Sequence, residues 1–293
     1  MRYTRPIVTT PALTLARVLV ALTGAAVTAL APVSLAGQAD ISAELEMERP
    51  IPALNTIWIE EMTWIEIRDA LEEGKRTAIV PTGGIEQNGP YVAMGKHNYV
   101  LEGMCERIAR TLGDALCAPI MKLVHEGDIS PPSGHMRYSG TISVRQETFE
   151  AMLEDVGRSL RQHGFEYIVY IGDSGGNQTG MSNVADLLNA DWGGNHALFI
   201  PEFYDNAGVQ RHMEETFGIY EESEGWHDNY WLSAMQAAVD PETVRYEQRV
   251  QAGRASINGV SMMPLGRTIS VGEELMRWRT EQTVAAIQAA KGR

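Results

Sequence analysis

The chain is poor in cysteine, with two in 293 residues, and poor in positive charge, with 24 Lys and Arg against 38 Asp and Glu. A formal net charge of −14 leaves no general basic face to displace counterions from phosphate, so nucleic acid is excluded as an expected partner. The same acidity disfavours lasting attachment to an anionic membrane surface. Cys105 and Cys117 fall in no metal-ligand pattern. They read as lying on a helix and on the strand after it, and the expectation is two buried thiols, although an oxidising compartment permits a bond between them. Internal repeats and low-complexity tracts are absent too. Hydrophobic residues make up 44% of the sequence, enough for a substantial core and against disorder as a whole.

Acidic residues are also missing before Asp40. Arg2, Arg5 and Arg17 precede an apolar run from Val18 to about Ala36, followed by Ser34-Leu35-Ala36 and Gly37-Gln38-Ala39, either of which offers small residues at the spacing of a processing site. That order predicts a secretory signal peptide over residues 1–39 and a periplasmic or secreted protein. The alternative is an uncleaved N-terminal membrane anchor, against which Thr23, Gly24, Thr28 and Pro32 weigh. Residues 40–56 read as a polar, proline-punctuated lead-in, and 57–293 as one folded domain.

Within that domain strand-like runs alternate with helical ones. Thr77–Pro81, Ala115–Met121, Tyr167–Ile171 and Ala197–Ile200 read as strands, and 99–112 and 146–163 as helices. In the 146–163 helix Phe149, Met152, Leu153, Val156 and Leu160 share one side. The alternation predicts an α/β fold, a three-layer sandwich with a mostly parallel sheet and helices on both faces. Ligands in such folds bind beyond the carboxyl ends of the strands. The polar clusters at 83–98 and 172–179 each follow a strand directly, so both are expected at the same edge. Residues 204–226, rich in acidic and aromatic side chains, form a lid, an oligomer contact or a solvated insertion, and Val271–Ala290 reads as a surface-packing helix.

The first cluster, Gly83-Gly84-Ile85-Glu86-Gln87-Asn88-Gly89-Pro90 through Gly95-Lys96-His97-Asn98, brings a carboxylate, amides and an imidazole into one glycine-bounded loop. Glu and neutral His serve as metal ligands or in proton transfer. This cluster resembles the first block of the creatininase (creatinine amidohydrolase) family at Gly83, Glu86, Gln87, Gly89, Pro90 and Gly95. Gly140-Thr141-Ile142-Ser143 before a helix is similar to the second block, and Gly172-Asp173-Ser174-Gly175-Gly176-Asn177 after a strand to the third. The resemblance covers roughly residues 57–245 and implies a creatininase-like fold, a homo-oligomer and hydrolysis of a C–N bond in an amide or cyclic amide of a small molecule.

The departures from that pattern bear on the chemistry. Glu86 keeps a family metal ligand, but Asn88 and Ser174 stand where the family has histidines, and His97 stands where it has an aspartate. Asn and Ser are poor ligands for a transition metal, so a two-metal site is not implied. The expectation is at most one divalent ion, zinc or manganese, on Glu86, His97 and Asp173, and no nucleotide cofactor. Glu86, His227 and Ser174 are the candidate catalytic groups. Asn88, Tyr91, His135, Gly175, Gly176, Asn177 and Trp226 are the candidate substrate contacts, with the backbone amides near Gly175–Asn177 suited to an oxyanion. His125, His163, His196 and His212 have no supporting pattern. The competing reading is a metal-free, non-catalytic binding protein on the same fold.

Overall fold

Apolar runs without alternation make strands that are buried on both faces, the habit of parallel sheets, and two such runs form the centre of this protein. The computed structural model describes residues 41–292, so the expected signal segment lies outside the described residues. The chain divides into a unit ending at Met47 and a unit beginning at Glu48. Of the first, only a short exposed helix, α1 (Ser42–Leu45), and its flanks are described.

The second unit runs α2 (Trp64–Glu72), β1 (Thr77–Thr82), α3 (Lys96–Leu112), β2 (Ala115–Cys117), α4 (Gln146–Gln162), β3 (Tyr167–Gly172), α5 (Gln178–Trp192), β4 (Ala197–Phe199), α6 (Asn206–Phe217), α7 (Tyr230–Val239), α8 (Tyr246–Gln251), β5 (Ser256–Ile257), β6 (Val260–Ser261) and α9 (Leu265–Lys291). The main sheet has the order β2-β1-β3-β4 with every pairing parallel, and β5–β6 is a separate antiparallel hairpin. All six residues of β1 are buried. Helices α4 and α5 pack together against β3, whereas α3 covers β1 and β2 with α7 and α9 behind it. The sheet lies between the two groups, which is the expected sandwich.

Local chemistry sets the element ends. Thr63 and Glu66 form a reciprocal capping box at the start of α2, and Glu66 also accepts the Leu54 N–H at 2.8 Å, which docks the end of the lead-in onto that helix. On α4, Phe149, Leu153 and Gly157 are buried. The Tyr170 hydroxyl donates to the Leu153 carbonyl at 3.0 Å, and a Cβ on Gly157 would run into that hydroxyl.

Three expectations change. Cys105 and Cys117 form a disulfide, with Cα atoms 6.3 Å apart, rather than two free thiols. The chain reverses at Gly113 (φ 80°), and α3 folds back over β2, so the two residues meet across that interface. Residues 204–226 are not a detached lid: Asn206–Phe217 is helix α6, which buries Val209 and Met213 and packs on α9. The C-terminal helix begins at Leu265 and is a core element, with Val271, Leu275, Met276, Arg279, Thr283 and Ile287 all buried. At Gly272 it approaches α7 so closely that a Cβ would meet the Ala234 carbonyl. Among the described residues no helix is long and apolar enough to cross a membrane.

Candidate functional site

Strand β1 connects to β2 on one side and the chain returns to β3 on the other, so the crevice beyond β1 and β3 is the point where strand order reverses, the usual ligand position in open α/β sheets. Thr82 pairs with Gly172 at the ends of these strands. The 83–95 and 173–177 loops therefore leave the same edge, and the N-terminus of α3 returns to it with Lys96, His97 and Asn98 buried.

Asparagines hold these loops. The Asn98 side chain accepts the Gly84 N–H at 3.1 Å and donates to the Gly84 carbonyl at 2.9 Å. Asn88 donates to the Glu86 carbonyl at 2.9 Å and the Ala93 carbonyl at 3.2 Å, and Asn177 donates to the Gly83 carbonyl at 2.8 Å and the Thr82 hydroxyl at 3.1 Å. Asn88 and Asn177, expected as substrate contacts, are both fully buried and act as loop clamps. Their amides satisfy backbone groups that tight loops leave without partners.

Behind the crevice runs a line of buried charges. His97 Nε2 lies 2.7 Å from Glu86 Oε1 and its Nδ1 lies 2.7 Å from Asp173 Oδ2. The other Asp173 oxygen lies 2.8 Å from the guanidinium of Arg279, which is 1% exposed. Burial and the nearby Lys96 oppose charge on His97, but its bonds to Asp173 and Glu86 outweigh them and its pKa rises. Burial works against ionisation of Asp173 as well, and Arg279 with His97 overcomes it, so that carboxyl stays below the usual range. In this arrangement both ring nitrogens of His97 and both oxygens of Asp173 face ion-pair partners, and the expected Glu86–His97–Asp173 ligand set is not the one that converges.

The donors that do converge are Glu86, His135 and His227, with ligating atoms all within 4.8 Å of one another. His135 Nε2 is 3.1 Å from Glu86 Oε2, His227 Nδ1 is 3.7 Å from Glu86 Oε1, and the two imidazoles lie tilted at 39° with centroids 4.5 Å apart. Ligands on a tetrahedral zinc with ~2.0 Å bonds are about 3.3 Å apart, so these spacings suit one ion. The other nitrogen of His135 is buried with no partner, and the set of one carboxylate and two imidazoles is that of an open zinc site. His227 also reaches the Gln87 carbonyl through Nδ1 at 2.9 Å. Partial burial, then Lys96, pushes its pKa down, which favours the neutral imidazole that a metal requires.

These three residues border a cavity of about 310 Å³ whose wall also includes His125, Glu126, Ser174, Gly175, Gly176 and Tyr204. Burial, then the ionised Glu86 beside it, pushes the Glu126 carboxyl up to about 9, while Glu86 itself is held well below the ordinary range. The pair thus shares one proton at neutral pH. The N–H groups of Gly175 and Gly176 open the turn before α5, where first-turn donors lack intrahelical acceptors. Gly176 is compelled to be small, because a Cβ there would lie 2.7 Å from the His125 carbonyl. Ser174 lines the cavity, but its hydroxyl has no hydrogen-bonded base to make it a nucleophile.

Two expected contacts lie elsewhere. Tyr91 packs under Arg249, whose guanidinium is 4.7 Å from the ring, and Trp226 is 59% exposed; neither borders the cavity. Sequence reasoning passed over His125, Glu126, Tyr204, Lys96 and Arg279 as site residues. For His125 and Glu126 there was a usable signal: their loop follows β2, a third parallel strand, and so opens at the same edge. Arg279, on a distant helix, left none.

A profile of the creatininase family, described as creatinine amidohydrolase, matches residues 60–287. Creatinine amidohydrolase of Pseudomonas putida is 25% identical over 114 residues, which is 39% of this chain and 43% of that protein. Mycofactocin precursor peptide peptidase of Mycobacterium tuberculosis is 28% identical over 120 residues, 39% of this chain and 46% of that protein. The chain thus matches less than half the length of these curated relatives. Among solved structures, a manganese creatininase has a TM-score of 0.60 at 18% identity, covering 80% of this chain and 98% of that one. A mutant creatininase of the zinc–zinc type gives the same TM-score, identity and coverage. These structural likenesses speak to fold, and the profile match speaks to ancestry. On the profile match this chain belongs to the creatininase family.

Proposed function

We propose that the protein is an exported hydrolase that cleaves a C–N bond in an amide or cyclic amide of a small molecule. The observation that carries this reading is the convergence of Glu86, His135 and His227 on a cavity that also holds Glu126 and the amides of Gly175 and Gly176. A divalent ion on Glu86, His135 and His227 would supply Lewis-acid polarisation of a carbonyl. A cavity of about 310 Å³ sits at the small end of ligand sites, which favours a compact substrate over a long peptide.

The chain's own groups handle the rest. The N–H groups of Gly175 and Gly176 donate to the oxygen that becomes negative as the carbonyl carbon is attacked. Glu126 holds a proton beside Glu86 and gives it to the leaving nitrogen; the proton released by the attacking water restores the carboxyl. Glu126 takes the proton-shuttle role expected of His227, because His227 serves as a donor to the ion. His97, Asp173 and Arg279 fix the Glu86 carboxylate from behind.

Export is supported by the basic, apolar, small-residue order of the first 39 positions and by the Cys105–Cys117 disulfide, a bond seldom kept in reducing compartments. N-terminal sequencing of protein from the native cell envelope is expected to begin near residue 37 or 40. A homo-oligomer is proposed on family grounds, and exposed Leu123, Ile129, Tyr138 and Ile142 near the cavity loop offer it a surface. Light scattering of the purified protein gives its mass directly.

The deciding experiment measures metal content of the mature protein and then assays a panel of amides and lactams for released amine. Turnover that vanishes with Glu86→Ala supports the hydrolase. Ligand binding without product, and without metal, moves the non-catalytic reading ahead.

A further inference from the structure

The carboxyl groups around Glu86 already have buried basic partners without any metal. Four cationic side chains, Lys96, His97, Arg249 and Arg279, are buried at 5% exposure or less. They face four buried carboxyl groups, Glu86, Glu126, Asp173 and Asp228, of which Glu126 keeps its proton, so negative charge is not in excess. Burial pushes the Lys96 pKa down against the pull of all four, and Arg249 lies 3.9 Å from Asp228. A carboxylate cluster built to receive two dications would instead carry an excess of negative charge, since buried charges persist only when compensated.

The oxygen atoms tell the same story. Both oxygens of Asp173 are taken, one by Arg279 at 2.8 Å and one by His97 at 2.7 Å. One oxygen of Glu86 is taken by His97 at 2.7 Å, which leaves the other, beside His135, for the cavity. His97 therefore spans the Glu86 and Asp173 carboxylates as a bridging cation would, with a ring nitrogen on each. Asn88, whose position could have supplied another donor, turns its amide into the loop.

We infer that His97 fills the place a second metal ion would need, with a ring nitrogen on each of two carboxylates, so that the chain holds one divalent ion, on Glu86, His135 and His227, and not two. This differs from the zinc–zinc structure on the same fold. The inference rests on the proposed function only in taking that trio as the metal-binding group. A second ion would have to displace hydrogen bonds on both nitrogens of His97 and approach the buried Lys96 side chain.

The test counts metal. The full chain is stripped with chelator, titrated with zinc by calorimetry, and its retained metal measured by mass spectrometry. The expected result is one equivalent per chain, and with manganese an uncoupled single-ion electron paramagnetic resonance spectrum. Two tightly held equivalents, a coupled two-manganese spectrum, or no bound metal overturns the inference. His97→Asp replaces the bridging imidazole with a carboxylate, and is expected to raise the count from one to two. A folded His97→Asp chain that still holds one equivalent overturns the assignment to His97. If that variant does not fold, Lys96→Met provides the second arm. It removes a like charge and adds no ligand, so the count should stay at one and affinity rise about tenfold or more; unchanged affinity counts against the inference. Failure here is separable from failure of the functional reading. One bound ion with no amide turnover leaves this inference standing and removes the hydrolase, whereas turnover with two ions or none does the reverse.

Discussion

Glu86 has two sides, and they are built on different principles. On the interior side, His97, Asp173 and Arg279 form an unbroken line of ion pairs at 2.7 to 2.8 Å, each nearly excluded from solvent. On the cavity side, His135 keeps a buried nitrogen without a partner, and Glu126 keeps a buried oxygen without one. Closely paired charges fix a geometry, while an unpartnered imidazole nitrogen in a cleft is where a ligand or ion repays its desolvation. The comparison teaches that the same carboxylate is positioned by one set of neighbours and used by another.

Glu86→Ala removes the residue both sides share and should have the largest effect. Turnover is expected to fall by roughly three orders of magnitude or more, since positioned proton transfer and metal activation are lost together. Steady-state assay of the panel substrate checks this. Arg279→Met tests the interior side alone. Removing one partner of a buried ion pair typically costs about 3–5 kcal/mol, so denaturant unfolding should show a loss of that order. A loss below about 1 kcal/mol would mean the line of charges is ornamental to stability, and the contrast between the sides would fail.

The two sides were unequally legible in the sequence. Glu86, His97 and Asp173 could be brought together on paper, because parallel strands ending in Thr82 and Gly172 must release their loops at one edge. What could not be read was which neighbour each side chain would choose. His97 offers the same imidazole to a metal or to carboxylates, and only the arrival of Arg279 from α9 behind Asp173 decides between them. The asparagines misled for a related reason: Asn88 and Asn177 have the chemistry of substrate contacts but spend it on loop carbonyls. The strands and the helices α3 and α4 were plain from apolar runs and spacing. The disulfide was not, since it depends on the angle at which α3 folds over β2.

That disulfide also bears on the comparison, because α3 carries His97 at its first turn and Cys105 two turns later. Closing a loop of about this length is worth roughly 3 kcal/mol in the chain-entropy account. Cys105→Ala with Cys117→Ala is expected to lower unfolding stability by about 2–4 kcal/mol while leaving the pH dependence of turnover unmoved. If that dependence shifts instead, α3 positions His97 only when tied to β2, and the interior side reaches further than its three residues.

Glu126 gives the finest test, because the two sides predict opposite signs for it. Its carboxyl has an ordinary value of 4.5 and stands at about 9 in the fold, raised by burial and then by Glu86. Below the lower value both folded and unfolded chains hold the proton; above the higher one neither does. Between them the folded chain binds more protons than the unfolded one, so this group makes stability fall as pH rises from 4.5 towards 9. Glu126→Gln keeps the shape and removes the titration. Thermal unfolding of chelator-treated protein should therefore show the variant gaining on the parent across that window and levelling off above it. Turnover should move the other way, falling about a hundredfold near neutrality, the low end for a general acid, and the parent's activity should decline as pH passes about 9. A variant that loses both stability and turnover would put Glu126 with the interior scaffold, and the proton for the leaving nitrogen would have to come from His125 or His227.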